Sequence, residues 1–412
     1  MKFDVVVLGA GIVGVSIALH LQKRGRAVAL VDRRGAGAET SFGNAGLIQR
    51  EAVYPYGFPH DFGALARYAR NRTIDAHYHL SALPTIAPFL WKYWWNSGTR
   101  RHEQIARHYA KLIELCVDEH EALIAEAGTG DLIRRNGWIK IYRTTKERDK
   151  AFAEAERLKE FGVTYRTLDA TDLEREEPHL ATALAGGIHW TQPIATRNPQ
   201  GLVRSYLALF EKLGGRSLQG DARTLNADGS GWSVHAAEGP IEAAAAVIAL
   251  GPWADVVTKG LGYDLPLAVK RGYHMHYRAG GNSQLNHAVL DAERGYMLTP
   301  MERGIRLTTG AEFALRDAPR TPVQLARAEP IARDLFPLAE RLDAEAWMGA
   351  RPCTPDMMPI IGPAPRHTNL WFAFGHAHHG MTLGALTGRL IAEMVTGENP
   401  TVDMRPYRAD RF

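Results

Sequence analysis

A β-branched run from Phe3 to Leu8 leads directly into Gly9-Ala10-Gly11-Ile12-Val13-Gly14, and this junction constrains the chain more than any other stretch. Continuous apolar runs of this kind belong to parallel strands buried on both faces. Apolar residues then recur at helical spacing from Val15 to Arg24, with Gly25 placed as a helix stop. A second strand, Ala27 to Val31, ends on Asp32. Each part has a physical purpose. Gly9 permits the tight turn, Gly11 lets backbone amides approach a pyrophosphate, and Gly14 lets the helix pack close to the strand. The helix N-terminus faces the negative charge, and Asp32 stands where a carboxylate accepts hydrogen bonds from a ribose. Strand, glycines, helix, strand and acid in this order predict a dinucleotide site. Asp32 disfavours a ribose 2′-phosphate, while Arg33 and Arg34 beside it keep that reading open.

Composition sets the outer bounds. A chain of 412 residues suits two intertwined domains better than one core or three. The net charge of +4 is spread along the chain without a basic block, which argues against a nucleic-acid partner. It suits an anionic small molecule or, weakly, an acidic membrane surface. The two cysteines, Cys116 and Cys353, lie far apart, as in a reduced intracellular protein rather than a disulfide scaffold. The apolar N-terminus is interrupted by Gly9, Gly11 and Gly14 and lacks a cleavage site, so no leader is expected, and no run is long enough to span a bilayer. A cytoplasmic location is expected, with room for peripheral contact at the inner membrane.

Two further features separate FAD from a nicotinamide cofactor. No second nucleotide fingerprint follows the first. Near the C-terminus, Gly375-His376-Ala-His378-His379-Gly380-Met381-Thr382 runs into the helical pattern of Leu383 to Val395. That is a second helix N-terminus able to face a flavin or phosphate; a surface loop before an ordinary helix fits the spacing equally.

Taken together these pieces resemble the D-amino-acid oxidase superfamily of flavoproteins, most closely the bacterial D-amino-acid dehydrogenases, over nearly the whole chain. Thr40-Ser41-Phe-Gly-Asn44-Ala45-Gly46-Leu47 resembles that family's flavin-wrapping T-S-x-x-N-A-G segment. Ala249-Leu-Gly251-Pro-Trp253 is similar to its A-x-G-x-W strand end. Trp347-Met-Gly349-Ala-Arg351-Pro-Cys-Thr-Pro-Asp356 through Gly362 matches its W-x-G-x-R-P-x-T-P-D signature, the most specific of the set. Met381 stands where a tryptophan is common.

The resemblance implies an α/β fold with a discontinuous, Rossmann-like FAD-binding domain and an α+β substrate-binding domain built on a mostly antiparallel sheet. The FAD domain is expected at 1–80, 166–260 and 345–412, and the substrate domain at 81–165 and 261–344. It implies non-covalent FAD held by Gly9, Gly11, Ile12, Val13, Gly14, Asp32, Arg33, Thr40, Ser41, Asn44, Ala45, Gly46, Leu47, Ala222, Gly251, Trp253, Gly349, Arg351, Gly375, His378, His379, Gly380, Met381 and Thr382. The implied activity is oxidative deamination of a D-amino acid, cyclic ones such as a D-hydroxyproline included, with hydride passing from Cα to flavin N5 and the electrons then to a quinone or oxygen. Sarcosine- or glycine-type amine oxidation and 2-hydroxy-acid dehydrogenation stand as alternatives, as does a flavin subunit inactive without a partner.

Aiming Cα–H at a flavin needs a clamp, and the planar fork of an arginine suits a carboxylate. Arg351 lies where the family's carboxylate arginine sits; pairing with Asp356 is the structural alternative. Arg271, Tyr273, Tyr296 and His376 are further candidate site residues. The three histidines at 376, 378 and 379 read as flavin-loop residues rather than metal ligands, and no metal is expected. The aromatic stretch Pro84 to Trp95 leaves three readings open: internal packing, an oligomer contact or a membrane-facing patch.

Overall fold

The strand Lys2–Leu8 (β1) lies between Val28–Asp32 (β2) and Gly239–Ile248, parallel to both. Its residues alternate between two cores. Val5 and Val7 join one apolar cluster with the helix Ile12–Lys23 (α1), while Val6 and Leu8 join a second cluster on the opposite face. A strand buried on both sides must be apolar throughout, which is why its sequence is continuous rather than alternating. The sheet extends from β2 to the first half of Arg216–Asp228 and, on the other side, to Leu370–Phe374 and the antiparallel edge strand Ile360–Pro363. Gly231–Ala236 joins Arg216–Asp228 to Gly239–Ile248 as an antiparallel meander. This computed structural model describes residues 1–412 except residue 230.

A second sheet of 11 strands is mostly antiparallel. Its long central strand, Ala268–Ala279, pairs with Gly304–Thr309 on one side and Trp347–Cys353 on the other. Beyond Gly304–Thr309 the order runs through Tyr296–Met301, Ala288–Asp291, Trp138–Tyr142 and Gly186–Trp190 to Tyr165–Asp169.

Ala76–Tyr78, Gly186–Trp190 and Trp347–Cys353, expected with the dinucleotide domain, all pair within the second sheet. The helix Thr99–Ala127, expected with the substrate domain, contributes Tyr109, Ile113 and Leu123 to the core beneath the first sheet. Hydrogen-bonding partners far along the chain decide these memberships, and local composition carries no sign of them. Among the described residues no helix is long and apolar enough to cross a membrane.

The feature that positions the site is the packing of α1 against the C-terminal helix Gly380–Thr396. A Cβ added at Gly384 would lie 2.7 Å from Ile12 Cγ1, and one at Gly388 would lie 2.6 Å from the Ser16 carbonyl carbon. Hydrogen at these two positions lets the backbones close, so both helix N-termini reach the same cavity. Gly388→Val should therefore force the helices apart, costing about 1–3 kcal/mol as overpacking does. Thermal unfolding should shift down by several degrees and flavin retention should weaken; an unchanged midpoint would contradict this packing account.

Candidate active site

The two sheets enclose a cavity of about 1540 Å³. That exceeds the roughly 300–1,000 Å³ of sites for drug-sized ligands, leaving room for a dinucleotide and a small substrate together.

At one end Gly9, Gly11, Ile12 and Val13 present the N-terminus of α1. A Cβ on Gly14 would lie 1.8 Å from the Gly9 carbonyl oxygen, and one on Gly9, whose φ is +105°, would meet the Ala249 oxygen at 2.6 Å. Only glycine permits this cradle. Ser41 Oγ accepts from Ile12 N at 3.1 Å, capping the helix from a distant loop. Asp32 lines the cavity, and its carboxylate also accepts from the backbone amides of Ala10, Arg34 and Gly35 at 2.8–3.1 Å. The acid thus braces the turn as well as facing the ligand. Arg33 lies over the Trp253 ring, 4.8 Å from its centroid, and Gly251 and Ala222 line the same end. Glycines without side chains, free helix amides and a carboxylate at the strand end are the donor set that a dinucleotide requires.

The loop from Thr40 to Leu47 is held largely by the second sheet. Thr40 Oγ1 donates to Ala350 O at 2.9 Å, and Asn44 Oδ1 accepts from Gly46 N at 2.7 Å. Gly46, at φ +81°, leaves no room for a side chain beside the Thr196 oxygen. Arg306, buried on the second sheet, donates to the carbonyls of Phe42 and Asn44. Its guanidinium also meets His276 Nε2 at 3.0 Å, and His276 Nδ1 meets Asp343 at 2.7 Å. The indole of Trp347 occupies the volume that side chains at Gly43 and Gly349 would fill. Arg306 and Trp347 were not among the expected residues. Trp347 opens the W-x-G-x-R-P signature, whereas the loop carbonyls that Arg306 reaches lie 264 and 262 positions away.

The chemistry-bearing end is positively charged. Arg351 is half-buried and lines the cavity, its Nη1 donating to the carbonyls of Arg271 at 3.2 Å and Gly310 at 3.1 Å. Among the described residues it has no carboxylate partner. Asp356, its structural alternative, is taken by Arg411 at 2.8 Å. A Cβ on Gly272 would lie 2.3 Å from Arg351 Nη2, so this glycine makes the space the guanidinium uses. Directly across the strand pair from Arg351 stands Lys270, a second cavity cation absent from the expected set. Its Nζ sits 3.9 Å from the Tyr93 ring centroid and 5.4 Å from that of Phe313. Burial, with repulsion from Arg351 as a lesser cause, lowers its pKa to about 8.

Other expected residues fall elsewhere. Arg271 does not reach the cavity: its side chain is 0% exposed and fully engaged, donating to Glu312 at 2.6 Å and to the carbonyls of Ala318 and Pro319. Tyr273 and Tyr296 line the wall, but their hydroxyls donate outward, to Glu312 at 2.9 Å and to the Ile331 carbonyl at 3.4 Å. His376 and His378 line the cavity together with Gly380 and Met381. Burial lowers His376 to about 3 and drives His378 well below its usual value, so both are neutral near pH 7. His379 turns away to Tyr109 at 2.7 Å, Thr382 bonds the backbone of Leu47 and Gln49, and Gly375 supports the loop from behind at φ +82°. In the aromatic helix Leu83–Asn96, Leu83, Leu90 and Tyr93 form cavity wall. Trp91 and Trp95 on its outer face are 64% and 52% exposed.

A carboxylate entering this end meets Arg351 at every working pH and Lys270 only while it is protonated. A carboxylate inhibitor without an amine should therefore bind about three- to tenfold more weakly at pH 9 than at pH 7, a loss on the order of 1 kcal/mol for one nearby charge. Lys270→Met should bind weakly at both values and lose the pH step. A wild-type affinity flat from pH 7 to 9 would contradict the assignment of Lys270 as a titrating cavity cation.

The comparisons with known proteins align with this geometry. The family model described as FAD dependent oxidoreductase matches residues 4–394. A D-amino-acid oxidase of Bradyrhizobium diazoefficiens is 29% identical over 420 residues, covering 99% of this chain and 98% of its own. A D-amino acid dehydrogenase of Granulibacter bethesdensis is 30% identical over 434 residues and covers 99% of each chain. Glycine oxidase from Geobacillus kaustophilus superposes with a TM-score of 0.75 at 22% identity, over 100% of this chain and 99% of that one. L-proline dehydrogenase from P. horikoshii gives 0.76 at 18% identity, over 100% and 98%. The two structural likenesses speak for the fold. With a dinucleotide cradle at one end of its cavity and a family match over nearly its whole length, the chain belongs to the FAD dependent oxidoreductase family and takes FAD as its cofactor.

Proposed function

We propose that the protein oxidises the Cα–N bond of a D-amino acid, cyclic ones such as a D-hydroxyproline included, with FAD held non-covalently. The observation that carries this reading is Arg351, a guanidinium facing the cavity with no carboxylate partner among the described residues. Two relatives that match over the full chain carry D-amino acid oxidase and dehydrogenase names, which supports the stereochemistry. FAD, when bound, supplies the acceptor for the two electrons and hydrogen that leave Cα.

The chain's own groups do the rest. Arg351 offers its remaining donors to the substrate carboxylate, while its bonds to two carbonyls fix the direction of the fork. Lys270 adds a second positive charge beside it. Two cations so close disfavour a third, so the substrate nitrogen binds as the neutral amine that hydride loss requires. His376 and His378, kept neutral by burial, add no competing charge. Tyr273, Tyr296 and Tyr93 form an apolar wall that keeps water from the reacting carbon. The imine product then takes up water to give a 2-oxo acid and ammonia, or persists when it is cyclic. The Cys353 thiol is fully buried and its pKa is raised by that burial, which makes it a poor nucleophile for flavin attachment.

Anaerobic mixing with amino and hydroxy acids tests the reading. D-amino acids should bleach the flavin absorbance and their L-enantiomers should not. Faster reduction by N-methyl glycine derivatives would replace this reading with an amine oxidase, and reduction by a 2-hydroxy acid without ammonia release would replace it with a hydroxy-acid dehydrogenase. Arg351→Met should lower kcat/KM for the best substrate by about 30- to 1,000-fold, the loss of roughly 2–4 kcal/mol of charge-assisted contact. Gly272→Ala should do nearly the same by displacing the guanidinium. A change under threefold in both variants would sink the clamp.

A further inference from the structure

Among residues that do not line the cavity, three side chains that the oxidation does not use come together. His189 lies in the strand Gly186–Trp190, His287 just precedes the strand Ala288–Asp291, and Glu176 ends the helix Ala170–Glu176. The two strands flank Trp138–Tyr142 in the second sheet, which brings the imidazoles together with ring centroids 4.8 Å apart and planes near perpendicular. One ligating atom from each of the three residues lies within 4.8 Å of the others. We propose that Glu176, His189 and His287 form a binding site for a divalent transition metal of the zinc class.

Each imidazole has one ring nitrogen engaged by the protein, which leaves the other for a metal. His189 Nε2 is 2.7 Å from the Asn136 carbonyl, so it carries the proton and leaves Nδ1 as a lone pair. That Nδ1 is buried and has no hydrogen-bond partner, on a residue only 7% exposed. A lone pair stranded in this way costs free energy unless something occupies it. His287 donates from Nδ1 to Glu177 Oε1 at 2.8 Å, which leaves Nε2 as its lone pair. Glu177 is itself pinned by the amides of Asn286 and His287. A backbone carbonyl on one histidine and a carboxylate on the other are the outer partners that fix the tautomer of metal-ligating imidazoles.

The local chain is shaped to allow this arrangement. Gly137 adopts φ +70°, and a Cβ there would lie 1.9 Å from the Trp190 oxygen and 3.0 Å from His189 Nε2. Glu176 accepts from Arg166 at 2.8 Å and is partly exposed, so its carboxylate can swing inward while water completes the shell. Bonds of about 2.1 Å put tetrahedral ligands about 3.4 Å apart, a closure that rotation of Glu176 and slight tilts of the rings supply. Two imidazoles and one carboxylate suit zinc, cobalt or nickel rather than magnesium or calcium. A bound ion would tie the helix Ala170–Glu176 to two strands of the second sheet, a stabilising role separate from the oxidation. The other His/carboxylate cluster, His77, His79 and Glu312, is unsuitable, because Glu312 is held by Arg271 and Tyr273 while His79 bonds Thr321.

The test uses the flavin-loaded, untagged protein, stripped with chelator and titrated with zinc chloride by calorimetry and with cobalt chloride by visible absorption. One ion per chain at micromolar affinity or better is expected, with cobalt bands of four- or five-coordinate intensity and a thermal midpoint raised by several degrees. Glu176→Gln should weaken binding at least tenfold, the double substitution His189→Gln with His287→Gln should abolish it, and His77→Gln should leave it unchanged. X-ray absorption of the wild-type zinc form should show two imidazole ligands, a readout independent of how the variants fold. No saturable binding, an all-oxygen shell, or equal affinity in the double variant would overturn the proposal.

Discussion

Two cations stand side by side in one cavity because a single antiparallel strand pair puts them there. Trp347–Cys353 runs against Ala268–Ala279 in a register that sets Arg351 opposite Lys270. The same strand carries Ala350, whose carbonyl receives Thr40 from the flavin loop, and Trp347, whose indole fills the space left by Gly43 and Gly349. A one-residue slip of Trp347–Cys353 would send Arg351 to the other face, away from Lys270, and break all three contacts together. The cofactor loop, the charged end and the sheet that roofs the cavity therefore depend on one register.

The charges around that register are paired selectively. Glu312 and the carbonyls of the 315–319 segment saturate Arg271, Asp356 holds Arg411, and Asp291 holds Arg143. Removing one partner from such buried pairs costs about 3–5 kcal/mol, so their geometry is stiff. Against that background Arg351 and Lys270 face the cavity without an acid among the described residues. A buried charge without a counter-ion is costly unless a ligand supplies one, which makes the cavity electrostatically complete only with an anionic occupant.

What was legible along the chain was local. The turn from β1 to α1 and the acid at the end of β2 follow from short-range pattern, and each stands close to where pattern places it. What was not legible depends on parity and on distant partners. Lys270 and Arg271 are adjacent, and alternation along a strand sends one into the cavity and the other into the core. Nothing nearby says which, and the side chain that decides it, Glu312, is supplied by another strand. The pairing of Gly186–Trp190 and Trp347–Cys353 within the second sheet is likewise set by distant strands. The histidines at 376, 378 and 379 drew attention because they are neighbours, whereas His189 and His287, far apart in sequence, meet only through strand order.

Arg351 has no carboxylate partner among the described residues, and Asp356, the acid nearest it in its own segment, is held by Arg411. A crystal structure of the flavin-loaded protein with a bound 2-oxo acid tests its role as the carboxylate clamp most directly. The carboxylate should lie within hydrogen-bond distance of Arg351, with Lys270 close by and Arg271 still bonded to Glu312. A carboxylate held by other residues, with Arg351 bonded only to the carbonyls of Arg271 and Gly310, would contradict that role.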